Sequence, residues 1–280
     1  MLTILRMLFA CVLLGYAIAP AVAADDSVYS FGVVPQFEQR KLYAIWKPVI
    51  DELEKKTGLS FKLVTTLKIN DFEKEYMAQK FDFAYMNPYF IVRGVTPGTY
   101  IPLVRDNKPH RGIVVVRRDG TVKRVADLAG KTVAFPSPNA IGATLMTRAE
   151  LERLFNVTVE PLYVKTHSSV YLHVAKELAV AGGGVEKTLQ EQDAAIRGLL
   201  TVLHTTEVMP NLPVAANRRI PETIREKVRR AFLELGTTEE GRAVLEKIPM
   251  KEVVATSMDE YLVIEKWGLD KYWDPAWRED

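Results

Sequence analysis

Short apolar runs alternate with stretches of helical period, and that alternation restricts the fold more than any other feature of this chain. Residues 28–34 read as a buried strand ended by Pro35, and 36–56 as a helix with Leu42, Ile45, Trp46, Val49, Ile50 and Leu53 on one face. Thr57-Gly58 stops that helix, and 61–64 follow as a second strand. Asn70-Asp71-Phe72 opens a short helix with Phe72, Tyr76 and Met77 inward. Residues 82–86 form a third strand cut by Asn87-Pro88, and 89–93 begin another helix. Strand, helix, strand, helix, strand predicts βαβ units with a parallel sheet.

A second series repeats the pattern further on. Strand-like 100–104 and 112–116 flank the polar segment 105–111, which reads as a crossing from one lobe to another. Then come a strand at 131–134, a helix over 139–155, a strand at 157–164, a helix over 167–179, Ala181-Gly182-Gly183-Gly184, a short helix near 185–189 and a strand at 199–204. Residues 205–213, with Pro210 and Pro213, read as the return crossing, 212–216 as a strand of the first lobe, and 222–235, 239–248 and 258–267 as helices. The expected organisation is an α/β protein of two lobes joined by two crossing segments around a central cleft. Residues 24–107 and 208–280 form one lobe, with 108–207 inserted as the other. Ligands of such sheets sit beyond the carboxyl ends of the strands, where helices begin, and a hinge at the crossings lets the lobes close on a solute.

Residues 1–23 carry one basic residue, Arg6, an apolar core through Leu8, Val12, Leu13 and Leu14, and a small-x-small ending at Ala21-Val22-Ala23. This is the pattern of a secretory signal, which predicts export to the periplasm. Gly15, Pro20 and the short apolar core argue against a membrane span. Cys11 is the sole cysteine and leaves with the signal, so the exported protein has no disulfide, thiolate metal site or cysteine nucleophile. Removal of the signal leaves a net charge of about +1, which points to no nucleic-acid partner. The expected product is a soluble monomer that needs no cofactor.

Three helix starts carry the candidate binding residues. In Phe135-Pro136-Ser137-Pro138-Asn139 two prolines delay the helix and Asn139 is a favoured cap; Ala140, Ile141, Gly142 and Ala143 then leave their backbone N–H groups open to an anion, with Thr144 next. Tyr85, Asn87 and Tyr89 bring two phenols and an amide to the end of the third strand. Lys165-Thr166-His167-Ser168-Ser169 gathers an imidazole and two hydroxyls at a further helix start, with Thr166 or His167 as cap. His173 lies six residues beyond His167, the wrong spacing for a shared metal on one helical face, and zinc is rejected. The glycine run has neither a P-loop nor a dinucleotide fingerprint; it either permits close backbone approach or is a loose turn. His167 and Ser168 are adjacent with no third member, so a catalytic triad is not indicated and the chain is not expected to be an enzyme.

At these positions the chain resembles the phosphate/phosphite/phosphonate-binding proteins (PhnD-like) that serve ABC importers. The resemblance rests on Gly32-Val33-Val34-Pro35 with Trp46-Lys47-Pro48, the 81–85 strand, Asp127-Leu128-Ala129-Gly130-Lys131 with the strand after it, the Thr166-His167-Ser168-Ser169-Val170 turn and the Ala-Gly-Gly-Gly segment. It implies a type II periplasmic-binding-protein fold and capture of a small oxyanion for a membrane permease, with Tyr85 and His167 as ligand contacts and 139–144 as the anion-cradling turn. That turn often reads Ser-Thr-Ser-Gly in the family; here it is Ala140-Ile141-Gly142-Ala143. The family's carboxylate suited to an ammonium is replaced within Gly182-Gly183-Gly184. Transport class follows from the resemblance, and ligand identity stays open. The other reading is a sensing module that signals to a membrane histidine kinase.

Overall fold

The computed structural model describes residues 27–93 and 98–274. The expected signal at 1–23, with Cys11, lies outside the described residues. Two mixed sheets organise the chain, and the first is built on both sides of the second. β1 (Val28–Val33), α1 (Gln39–Thr57), β2 (Ser60–Thr65), α2 (Ile69–Met77), β3 (Phe83–Tyr85), α3 (Tyr89–Arg93) and β4 (Tyr100–Asp106) lead into the first sheet. The second lobe carries β5 (Gly112–Arg117), β6 (Thr132–Phe135), α4 (Thr147–Phe155), β7 (Glu160–Tyr163), α5 (His167–Ala175), β8 (Ala181–Val185), α6 (Glu186–Gln190), α7 (Ala194–Leu199) and β9 (Leu200–Thr205). The chain then returns through β10 (Pro213–Asn217), α8 (Glu222–Leu235), α9 (Glu239–Leu245) and β11 (Val253–Ala255). Strand order is β11-β4-β10-β3-β1-β2 in one sheet and β7-β6-β8-β5-β9 in the other. β1 pairs in parallel with β2 and β3, and β6 with β7 and β8; the strands next to each crossing pair antiparallel.

α1 shows how periodicity becomes packing. Its apolar stripe buries Leu42, Trp46, Val49, Ile50 and Leu53, and Gly58 ends it at φ 64, its N–H donating to Glu54 O at 2.8 Å. Phe31 packs against Trp46 at 5.8 Å and stacks on Phe83 at 6.4 Å, with burial of each such side chain contributing roughly 1.5–3 kcal/mol. The same core takes in Ile141, Leu145, Met146 and Ala149 from the inserted lobe, so the lobes meet through apolar contact as well as polar ties.

Local structure departs from the sequence expectation in several places. α1 starts at Gln39 rather than 36, leaving Gln36 in the loop after β1. The helix expected over 139–155 begins as a π-helical stretch, Ile141–Met146, that runs into α4. The cap position is Ala140 rather than Asn139, whose side chain is drawn instead to Glu73 and Asp274. Ala181-Gly182-Gly183-Gly184, read as a turn or a close approach, is the buried strand β8, and the close approach is to the protein itself. The tail expected as a helix over 258–267 forms 3₁₀ turns, Met258–Glu260, Leu262–Trp267 and Leu269–Tyr272. Among the described residues no helix is long and apolar enough to cross a membrane.

Candidate functional site

A cavity of about 40 Å³ lies between the lobes, room for a few waters or a solute of a few heavy atoms. The first lobe lines it with Val34, Gln36, Ile69, Glu73, Asn87 and Phe90, and the second with Ala140 to Ala143, His167 and Val185; His110 and Leu212 come from the crossings. The helix start contributes Ala140 to Ala143 to its wall. A helix leaves its first N–H groups without intrahelical acceptors, and Thr144 N and Leu145 N are the first to turn back, both to Ala140 O at 2.8 and 3.1 Å. The amides of Ile141, Gly142 and Ala143 therefore precede the ladder and sit at the positive end of fifteen helical residues. Gly142 is required there: a Cβ would lie 2.9 Å from Val185 Cγ1 and 3.2 Å from His110 Nε2.

His167 is placed by backbone geometry. Lys165 adopts φ 78 and Thr166 N donates to Val164 O at 3.0 Å, a tight turn that ends β7 and starts α5. Thr166 Oγ1 then accepts from Ser169 N at 3.1 Å as the cap. His167 Nδ1 stands 3.3 Å from Thr188 Oγ1, itself 2.7 Å from Tyr171 Oη, which leaves Nε2 as the ring nitrogen for a ligand. Burial pushes the imidazoles down from their ordinary range, His167 to about 4 and His110 to about 3, the latter also through Lys187 and His167. Both are neutral near pH 7, each with one donor and one acceptor nitrogen. Glu73, 8 % exposed, is pushed up to about 8 by desolvation, opposed by the Asn139 hydrogen bond and helped by the charge of Asp274. Among the described residues, no lysine or arginine lines this cavity.

Residues 31–261 match the family described as ABC transporter, phosphonate, periplasmic substrate-binding protein. The chain belongs to that family. It is similar to the phosphonates-binding periplasmic protein of Escherichia coli strain K12, at 22% identity over 271 residues, 91% of this chain and 80% of that protein. The fold is that of a binding-protein component of an ABC phosphonate transporter from Pseudomonas aeruginosa, with TM-score 0.79, 16% identity and 87% and 86% of the two chains covered. It is also that of a Prochlorococcus marinus protein solved with methylphosphonate, with TM-score 0.77, 16% identity and 86% and 97% covered. The architecture is thus the type II periplasmic-binding-protein fold.

Within this phosphonate-binding family member, the structure brings together Asn87, Ala140, Ile141, Gly142 and His167 of the residues expected from sequence. Asn87 Nδ2 donates to Asn139 O at 2.6 Å, while its Oδ1 accepts from Tyr89 N at 2.9 Å and so caps α3. Asn139 stands behind the wall, its Nδ2 donating to Asp274 O at 2.9 Å and to Glu73 Oε2 at 3.3 Å. The others lie elsewhere. Tyr85 is buried against Trp46, ring centroids 4.9 Å apart, and its hydroxyl reaches toward Pro249 O at 3.5 Å. Tyr89 Oη donates to Asp270 Oδ1 at 2.8 Å, and Thr144 Oγ1 to Ser137 O at 2.6 Å. Ser169 serves the Thr166 cap, and Ser168 is half-buried beside it, outside the cavity wall. Gln36, Glu73, His110 and Phe90 were not singled out by sequence. One of them had a signal: Glu73 falls on the stripe Ile69, Phe72, Tyr76, where an acid among apolar positions marks a carboxyl turned inward.

Proposed function

We propose that this protein captures a small oxyanion of the phosphonate, phosphite or phosphate type in the interlobe cavity and delivers it, chemically unaltered, to the permease of an ABC importer. The observation that carries this reading is the placing of the Ile141–Ala143 amides, His167 and Asn87 around one small cavity with walls from both lobes. An anion there meets fixed N–H dipoles where water is scarce, so each hydrogen bond is stronger than in solvent. His167 contributes as the Nε2–H tautomer, its Nδ1 accepting from Thr188 while Tyr171 Oη holds Val185 O, 3.0 Å away. The mouth must open for the solute to enter, which the crossings at 106–112 and 205–213 permit as hinges. Calorimetric titration with methylphosphonate, phosphite and phosphate tests the reading. At least one should bind, and His167→Ala should weaken it by roughly 1–3 kcal/mol with the fold retained. Absence of heat for all three at millimolar concentration removes the oxyanion reading.

A further inference from the structure

Among the described residues, Glu73 is the carboxyl on the cavity wall, and its two oxygens differ. Oε2 accepts from Asn139 Nδ2 at 3.3 Å, whereas Oε1 is buried with no partner. Among the described residues no lysine or arginine lines the wall to offset an ionised carboxylate, and desolvation raises the Glu73 carboxyl to about 8, which favours the neutral acid at neutral pH. Because Oε2 is used as an acceptor, the acid proton belongs on Oε1. That leaves an O–H donor with no protein acceptor on a wall that the helix-start residues also line.

We propose that Glu73 is a ligand-binding residue that works as a carboxylic acid: its Oε1–H donates to an oxygen of the captured phosphonate-type anion, and capture requires that proton. The proposal rests on the oxyanion reading of the cavity and deepens it. Ionised, the same group would repel the anion; protonated, it holds it. Among the described residues, the groups that face Glu73 are Asn139 and Asp274 from beyond its own helix, with His110 and His167 on the same cavity wall. Both imidazoles stay neutral above pH 6, so they add no step to the alkaline range. The site therefore differs from a carboxylate that pairs with an ammonium, which would work ionised and favour an amino-bearing solute.

The test is calorimetry with methylphosphonate for wild type and Glu73→Gln between pH 6.5 and 9.5, each in two buffers of different ionisation enthalpy. Titration of methylphosphonate itself affects both proteins equally and cancels in the ratio of their association constants. Glutamine keeps an N–H donor and has no proton to lose. From a carboxyl that ionises near 8, that ratio, wild type over variant, should fall about thirtyfold across the range, tenfold per unit at its upper end. At pH 9.5 wild type should take up close to one proton more than the variant. A ratio that stays flat while both proteins bind overturns the proposal and leaves the oxyanion reading standing; no heat from wild type with any phosphorus oxyanion fails the oxyanion reading itself. Preference for 2-aminoethylphosphonate over methylphosphonate, lost in Glu73→Gln, overturns it in favour of an ionised carboxylate. If the variant does not fold, wild type alone decides: proton uptake at pH 9.5 beyond that of the ligand supports the proposal, and none refutes it.

Discussion

Glu73 and the two cavity histidines push the pH dependence of stability in opposite directions. Glu73 titrates near 8 in the folded protein and near the ordinary carboxylate value when unfolded, so the stability it permits is full below about 4.5 and is lost as pH rises to 8. His110 and His167 titrate below the ordinary histidine value, so their contribution is full above about 6.5 and is lost as pH falls toward 4 and 3. Glu73→Gln removes the first effect alone. Urea unfolding from pH 5 to 9 should show the variant gaining on wild type up to pH 8, by on the order of several kcal/mol, and no further above it. A difference that does not change with pH would mean that Glu73 is ionised in the folded state. At this scale the sequence was partly legible. The place of His167 at the start of α5 could be read from the Lys165-Thr166-His167 turn, but the place of Tyr85 could not. Period-two alternation shows that Phe83 and Tyr85 share a face, and it does not show whether that face looks toward Trp46 or toward the cleft.

β8 is the element that most clearly separates what a pattern reveals from what packing decides. Ala181-Gly182-Gly183-Gly184 has almost no strand propensity, yet it is the central strand of the second sheet, between β6 and β5. The reason is thickness. The π-helical start presses on one face and α5 on the other, so that a Cβ on Gly183 would lie 2.1 Å from Ala143 O, and one on Gly182 2.5 Å from Val170 Cγ1. Absent side chains let the helix start reach the cavity, which makes β8 the support of the amides proposed to hold the anion. Chain entropy alone favours Gly183→Ala by about 0.5–1 kcal/mol. The clash is with a backbone oxygen that cannot step aside, so overpacking should dominate and destabilise by about 1–3 kcal/mol. Chemical unfolding gives the sign, and a stabilised variant would refute this account of β8. The helix expected over 139–155 was legible by its apolar period and the start of α5 by its Thr166 cap, though α5 ends at Ala175 rather than 179. The π-helical opening was not, because it arises from side-chain and backbone contacts: Thr147 Oγ1 donates to Gly142 O at 2.9 Å, and Thr144 Oγ1 to Ser137 O.

For the whole molecule, the tail is what ties the lobes together away from the crossings. The 3₁₀ turns after β11 pack on the first lobe through Tyr261, Ile264, Leu269 and Tyr272, and Trp273 lies against Tyr89 and Phe90 at 5.0 and 5.4 Å. The same segment grips the second lobe. Arg153 Nη1 and Nη2 donate to Trp267 O at 2.7 Å and Gly268 O at 3.0 Å, Tyr272 Oη donates to Glu152 Oε2 at 2.7 Å, and Asp274 N donates to Asn139 Oδ1 at 3.0 Å. Nearer the crossings, Lys187 of α6 pairs with the buried Asp106 and donates to Pro249 O at 2.7 Å. Two lobes and two crossings were legible, since each βαβ series and each polar break carries its own local signal. A strap of irregular turns has no period, and its partners lie more than a hundred residues away in sequence. Its consequence is energetic. If the solute binds only the closed form, contacts that favour closure lower the apparent dissociation constant by the population they add. Arg153 lies outside the cavity wall, so Arg153→Ala leaves every ligand-facing group in place while removing two donors to the strap. Losing about 1–1.5 kcal/mol of closure should raise the dissociation constant for methylphosphonate five- to tenfold. The radius of gyration of the free protein in solution should rise with it, and saturating methylphosphonate should restore it. Unchanged affinity together with an unchanged radius would mean that the strap is a passive cover and that closure is governed by the apolar contact of Ile141, Leu145 and Met146 with the first lobe.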